Sequence, residues 1–273
     1  MPQDLLAINV GNTRAQFGLF RGDKLLHHCR CAHGDADALA EVFEPIQKEI
    51  DAGGGKPPLV LLASVNDARA DETARAVQRL LGLEVTRIGP EAPIPLAHKL
   101  DPEAIVGQDR LLNAAAAYDK LKEACIVVDA GTAVTVDFID GEGTFHGGAI
   151  LPGARLQARA LHEHTALLPL VELNPPDEPI GHNTTEAIRT GLYHGLRGAV
   201  RELVEKYAES YGGYPRVIAT GGDAQLLFEG YDLIDAIVPT LTLEGIRLTA
   251  QGATTGTGRQ DAKRAKGRGG KQS

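Results

Sequence analysis

Along this chain the spacing of apolar and polar positions changes repeatedly, and each change predicts an element. Leu5–Val10 and Ala15–Phe20 are short apolar runs joined by Gly11-Asn12-Thr13-Arg14, the signature of a β-hairpin. Leu25–Cys31 predicts a third strand, with Leu25, His27, Cys29 and Cys31 on one face. Leu39, Val42, Phe43, Ile46 and Ile50 recur at helical spacing across Asp37–Ile50, with Pro45 expected to kink the helix. A buried-type strand follows at Leu59–Ala63. A helix over Asp67–Leu81 then shows Ala70, Ala74, Val77 and Leu81 on its inner face, and a short strand follows at Val85–Ile88. Strand and helix in alternation imply sheets with some parallel pairing.

The pattern then restarts. After a helix over Leu111–Leu121, Cys125–Ala130 and Val134–Ile139 predict a second hairpin around Gly131-Thr132. Ile8-Asn9-Val10-Gly11-Asn12-Thr13 aligns with Val128-Asp129-Ala130-Gly131-Thr132-Ala133, 120 residues later. A repeated hairpin predicts two lobes of common ancestry facing each other across a cleft. Helices are expected at Pro152–Leu167, at Asn183–Tyr211 and at Pro239–Ala250, with a strand at Arg216–Thr220 running into Gly221-Gly222. Asn183 is the expected N-cap of the second helix, with Glu186 three residues on and Ile188, Leu192, Leu196, Val200, Leu203 and Tyr207 along one stripe. The lobes are expected at 1–120 and 121–252, with a disordered basic tail at 253–273.

Composition narrows the function classes. The chain has 273 residues, ample for two lobes, and its 43% hydrophobic content supports a sizeable core. Its net charge of -8 is uneven. Gly256–Ser273 holds six basic residues against Asp261, a balance of +5, so the rest carries -13, which disfavours nucleic acid and anionic membranes. With 4% aromatics and no Trp, a base-stacking surface is not expected. Three cysteines fit a reducing compartment, and no apolar run or leader pattern points to a membrane or to export, so a cytoplasmic protein is expected.

Candidate chemistry gathers at glycine turns after strands: Gly11-Asn12-Thr13, Gly131-Thr132 and Gly221-Gly222. Such turns let backbone N–H groups approach a phosphate, with Asn or Thr side chains adding hydrogen bonds. None has the spacing of a Walker or dinucleotide loop. Gly107-Gln108-Asp109-Arg110 precedes a helix, where Asp109 either caps the helix or accepts a proton from a substrate hydroxyl, with Arg110 holding an anionic group. Asp129 ends an apolar strand, where a carboxylate either caps a turn or collects a cation.

Six ordered blocks carry a family resemblance: Asn9-Val10-Gly11-Asn12-Thr13, Gly107-Gln108-Asp109-Arg110, Asp129-Ala130-Gly131-Thr132-Ala133, Gly147–Gly153, Gly181-His182-Asn183-Thr184 and Ala219-Thr220-Gly221-Gly222. Together they resemble type III pantothenate kinases, relatives of acetate and sugar kinases, heat-shock chaperone ATPases and actin. The resemblance spans Leu5 to Ala250. It implies an α/β, duplicated actin-like (ribonuclease H-like) two-lobe fold with an interlobe cleft. The implied activity is ATP-dependent phosphorylation of pantothenate, the first step of coenzyme A biosynthesis, by a homodimer needing Mg²⁺ and a monovalent cation, K⁺ or NH₄⁺. By position it implies ATP binding by Asn9, Val10, Gly11, Asn12, Thr13, Arg14, Ala15, Gln16 and Thr132. It likewise implies pantothenate binding by Gly107, Gln108, Asp109, Arg110 and Thr184, proton acceptance by Asp109 and cation binding by Asp129.

One position departs from the family: Asn9 stands where an Asp is usual, retaining a carbonyl oxygen but not the charge. The competing readings are another kinase or phosphatase of the superfamily and a non-catalytic regulatory relative, which Asn9 alone favours. The run His27, His28, Cys29, Cys31, His33 contains metal-ligand residue types without a second ligand pair at zinc spacing, and His162 and His164 lack a Glu-x-x-His pattern. Asn183-Thr184-Thr185 matches a glycosylation sequon that has no role without secretion.

Overall fold

The computed structural model describes residues 3–34, 36–54, 56–89 and 92–252, so the expected basic tail lies outside the described residues. The N-terminal hairpin forms as expected from β1 (Leu5–Val10) and β2 (Arg14–Arg21), and β3 (Lys24–Ala32) adds to it antiparallel. Helix α1 (Ala36–Ala52) runs on through Pro45, and β4 (Leu59–Ser64) then pairs parallel to β1. Helix α2 (Asp67–Leu81) starts on an Asn66 cap that accepts from the Arg69 N–H, and stops at Gly82 with φ 67°. With β5 (Thr86–Arg87) the first sheet has the order β3-β2-β1-β4-β5.

The second repeat rebuilds this order. After β6 (Ala97–His98) and α3 (Gln108–Leu121), β7 (Cys125–Ala130), β8 (Ala133–Ile139) and β9 (Thr144–Pro152) form an antiparallel meander. Helices α4 (Ala154–Glu163) and α5 (Thr184–Tyr211) follow. Then β10 (Arg216–Thr220) pairs parallel to β7, and α6 (Ala224–Phe228) leads to β11 (Ala236–Ile237). The second sheet has the order β11-β10-β7-β8-β9-β6, so β9-β8-β7-β10-β11 reproduces β3-β2-β1-β4-β5. A last helix, α7, spans 241–252.

The match extends to irregularities. A bulge shifts the β2–β3 register between Leu19 and Phe20, and another shifts β8–β9 between Phe138 and Ile139. The turn from Val10 to Ala15 is one residue longer than that from Ala130 to Val134, so β8 follows β2 at an offset of 119 rather than 120. The offset returns to 120 along the third strands, where Ala32 corresponds to Pro152 and His33 to Gly153.

Three sequence expectations change here. The β3 bulge at Leu26 breaks strict alternation, so Leu25 packs with Phe20 and Leu243 while Leu26, Cys29 and Cys31 pack on the other sheet face. The inner face of α2 is Ala70, Thr73, Ala76 and Val77, rotated from the expected stripe. The expected helix from Pro152 begins only at Ala154, because Thr144–Pro152 is the strand β9.

The chain packs as two units. One comprises Met1–Pro95, Gly107–Ala116 and the residues from Thr242; the other comprises Leu96–Val106 and Ala117–Leu241. The sequence predicts one division, at 120/121, whereas α3 begins in one unit and ends in the other, and α7 packs with the first. In the first unit one sheet face packs Leu6, Ile8, Val10, Phe17 and Leu19 with Phe43, Ile46 and Val77. Its other face packs Leu5, Ala7 and Phe20 with Leu112, Leu243 and Ile246. In the second unit Ile126, Val128, Val134 and Val136 pack with Ile188, Leu192, Leu196 and Val200 of α5.

Candidate active site

The site residues fall on corresponding places of the two repeats. Antiparallel neighbours share a sheet face, so Asn9 on β1 stands between Ala63 on β4 and Gln16 on β2, with Arg30 next on β3. With the Gln16 amide turned so that its oxygen faces the guanidinium, it accepts from Arg30 Nε at 2.8 Å and Nη2 at 2.9 Å. The same row in the second repeat reads Thr220, Asp129, Thr135, Ile150. The Thr135 hydroxyl is buried and has no hydrogen-bond partner among the described residues. A carboxylate beside an unpartnered hydroxyl is an oxygen donor set suited to a cation.

The first glycine turn is anchored from several sides. Gly11 N–H donates to Arg14 O at 3.0 Å, and Gly11 O meets His33 Nε2 at 2.8 Å. Ser64 Oγ and Val65 N–H each donate to Val10 O at 3.3 Å, and Asn66 Nδ2 reaches Asn12 Oδ1 at 3.5 Å. Asn12, Thr13 and Arg14 are exposed, while Val10 and Ala15 are buried strand residues. The second turn closes by Gly131 N–H to Ala133 O at 2.9 Å, and Thr132 O accepts from Gly153 N–H at 3.0 Å. Any Cβ at 153 would strike the Gly131 and Thr132 carbonyls, so glycine is required where the chain crosses the turn. At Gly221, φ is +100° and a Cβ would stand 2.5 Å from Asp129 Oδ1, so the third turn is stacked directly on that carboxylate. Arg155 Nη2 donates to the buried Asp223 Oδ1 at 2.5 Å, fixing the residue after Gly221-Gly222.

Helix α3 starts three residues earlier than the apolar pattern predicts, which brings Asp109 and Arg110 into its first turn. Its course is set by packing against α7: a Cβ at Gly245 would collide with the Leu112 backbone, and Thr242 Oγ1 donates to Asn113 Oδ1 at 2.7 Å in the core. Gln108 is spent on the scaffold. Its Nε2 donates to Ile88 O at 3.0 Å and its Oε1 accepts from Ser64 N–H at 3.3 Å, tying α3 to the ends of β4 and β5. Asp109 is half-buried, and its Oδ1 accepts from Arg110 N–H at 2.8 Å and crowds Gly107, where a Cβ would stand 2.5 Å away. Burial pushes the Asp109 carboxyl above the ordinary aspartate value, against the opposing pull of the Arg110 N–H and guanidinium. A carboxylate tuned upward in this way is a better proton acceptor.

Thr184 is the first residue of α5 and is exposed beside a capping box, in which Asn183 Oδ1 accepts from Glu186 N–H at 3.0 Å and Glu186 Oε2 accepts from His182 N–H at 2.8 Å. A hollow of about 220 Å³ opens here between Pro176, Ile180, His182 and Arg189. Among the described residues no group of three or more His, Cys, Asp or Glu side chains could hold a metal. Sequence reasoning missed Arg30, Ser64 and the Arg155–Asp223 pair, whose roles depend on pairing between distant segments.

Solved structures share this architecture. The activator of the 2-hydroxyisocaproyl-CoA dehydratase from Clostridium difficile, solved with ADPNP, aligns at TM-score 0.53 and 11% identity over 94% of this chain and 98% of that one. A Baf family protein from Campylobacter jejuni aligns at TM-score 0.57 and 19% identity over 92% and 99%. These likenesses show the duplicated actin-like α/β fold. Relatives in sequence are closer. A type III pantothenate kinase of Dehalococcoides mccartyi is 35% identical over 91% of this chain and 96% of its own length, and one of Thermus thermophilus is 39% identical over 89% and 96%. The family model for type III pantothenate kinase matches residues 5–206, and with these relatives it shows that the chain belongs to the type III pantothenate kinase family.

Proposed function

We propose that this protein transfers the γ-phosphoryl group of ATP, carried with a divalent metal, to the primary hydroxyl of pantothenate, as the names of its relatives indicate. The observation that carries this reading is Asp109, a half-buried carboxylate with a raised pKa in the first turn of a rigidly packed helix. Phosphoryl transfer asks the protein for positioning and charge neutralisation more than for covalent chemistry. The hairpin Asn9–Gln16, with Gly11, Asn12 and Thr13 at its turn, and Thr132 on the second turn would hold ATP through backbone N–H groups and hydroxyls. Asp109 would accept the hydroxyl proton as the phosphoryl group moves, while Gly107, Gln108, Arg110 and Thr184 would contact pantothenate.

A divalent metal carried with ATP would supply charge neutralisation there, and Asn9 would offer it only a neutral carbonyl. Asp129, with the unpartnered Thr135 hydroxyl beside it, is the set that would hold K⁺ or NH₄⁺. A homodimer fits the exposure of Ile150 (64%), Leu167 (90%), Leu170 (61%) and Ile180 (70%), all within the second unit. Among the described residues no helix is long and apolar enough to cross a membrane.

A coupled assay of ADP release with pantothenate, with and without K⁺ or NH₄⁺, tests the reading. Turnover that needs pantothenate and rises with the cation is expected. ATP binding without pantothenate-dependent turnover would overturn the substrate assignment, and sedimentation of a monomer at assay concentration would overturn the dimer.

A further inference from the structure

We propose that His33 is a positioning residue for the nucleotide hairpin: its ring latches the Gly11 carbonyl and thereby aims the N–H of Asn12 at the bound phosphate. The proposal rests on the reading that this hairpin holds ATP. His33 Nε2 lies 2.8 Å from Gly11 O. A carbonyl oxygen only accepts, so the ring hydrogen sits on Nε2 and the imidazole is the donor. The peptide joining Gly11 to Asn12 is planar and trans, so its C=O and N–H point in opposite directions. Holding the carbonyl on the His33 side therefore turns the Asn12 N–H away from His33.

The latch matters because of what stands at 11. Glycine has no Cβ to oppose a peptide flip, and a flip would present a carbonyl oxygen to a phosphate in place of a donor. The Gly11–Arg14 bond restrains the N–H before Gly11, not the peptide after it.

An independent observation comes from the second repeat. The register places Gly153 after β9 where His33 follows β3. Gly153 also holds its hairpin turn, through a backbone N–H to Thr132 O at 3.0 Å. Both turns are thus pinned from the same station, one by backbone and one by an imidazole. In the first repeat the His33 side chain makes the contact, and a hollow of about 160 Å³ lined by Ala15, His33, Leu39, Glu72 and Arg79 adjoins it. Glu72 is engaged by Arg69 at 2.7 Å.

The test is calorimetric titration of MgATP into the full chain, as wild type, His33→Ala and His33→Gln, followed by steady-state kinetics and melting curves. Gln carries an N–H donor at nearly the reach of Nε2. Losing one such hydrogen bond should weaken MgATP binding and raise the ATP KM by about 5–20-fold in His33→Ala. The pantothenate KM and kcat should stay within about twofold, and His33→Gln should return the ATP affinity to within about threefold of wild type. If wild type binds MgATP and His33→Ala binds it equally well, the latch is overturned while the nucleotide reading stands. If both variants lose affinity and melting temperature alike, His33 is a packing residue and the latch is again overturned. If wild type binds no MgATP, the nucleotide reading falls and takes the latch with it.

Discussion

The two repeats share a backbone frame down to the bulge, yet the row of side chains across each sheet is different. In the first, Ala63, Asn9, Gln16 and Arg30 stand side by side, and the guanidinium is bound to the Gln16 amide. In the second, the same places carry Thr220, Asp129, Thr135 and Ile150. One row is neutral to positive, the other acidic with a free hydroxyl. The first suits direct contact with an anion and the second suits a cation. Duplicated architecture therefore leaves division of labour to single side chains: Asn9 stands in the row that carries Arg30, and Asp129 in the row that carries Thr135.

The sharpest asymmetry is Asp109, since the second residue of α3 is a carboxylate whereas the second residue of the 241–252 helix is Thr242. Asp109→Asn should lower kcat by about 10²-fold or more with ATP affinity unchanged, and the low-pH limb of kcat/KM, placed above the ordinary aspartate value, should disappear with it. Near-wild-type turnover would remove Asp109 from the mechanism. Next is the row itself. Asn9→Asp gives the first row the acid that Asp129 supplies in the second, and a charge-assisted contact of about 1–3 kcal/mol should lower the Mg²⁺ concentration for half-maximal velocity while the pantothenate KM barely moves. An inert wild type that gains turnover only as Asn9→Asp would mark a regulatory relative.

The far ends of the hairpins differ too. Asp23 at the β2–β3 turn is 82% exposed, whereas Asp140 at the β8–β9 turn is 8% exposed. Burial alone would raise the Asp140 carboxyl, but the His146 ring at 2.6 Å and the Thr144 and Glu142 N–H groups outweigh it and hold it down to about 2. A depressed acid stabilises the fold above its unfolded value and loses that stabilisation as pH falls through the folded one. Asp140→Asn should therefore cost about 2 kcal/mol at neutral pH, with the difference from wild type closing between about pH 4 and pH 2. Urea titrations across that range check it. The smallest effect is at the α5 cap, where Asn183→Ala should cost about 1 kcal/mol in the same titrations.

Much of this was legible where the controlling interactions are local. The hairpins, α2 with its Asn66 cap and α5 with Asn183 and Glu186 follow from turn glycines, caps and periodicity, and they form as expected. Strand β9 was not legible because Gly147-Gly148 and alternate exposure mask its period, leaving its glycines to read as a motif. The faces of β3 were misassigned because a bulge is set by the partner strand, not by the run itself. At the site, the glycine turns and Asp109 stood out by residue type. The bonds of His33 to Gly11 and of Gln108 to Ser64 and Ile88 follow from pairing between distant segments and have no local signal.

The paired bulges also bear on alignment. A bulge between Leu19 and Phe20 and another between Phe138 and Ile139 break their ladders at the same step, although one residue separates the lengths of the hairpin turns before them. The longer β8–β9 turn restores the count on the next strand. Lengthening at one loop and shortening at another left the irregularity between them untouched, because moving it would turn a whole strand inside out. The bulge is thus a fixed mark by which the two halves can be aligned although their side chains and loop lengths differ.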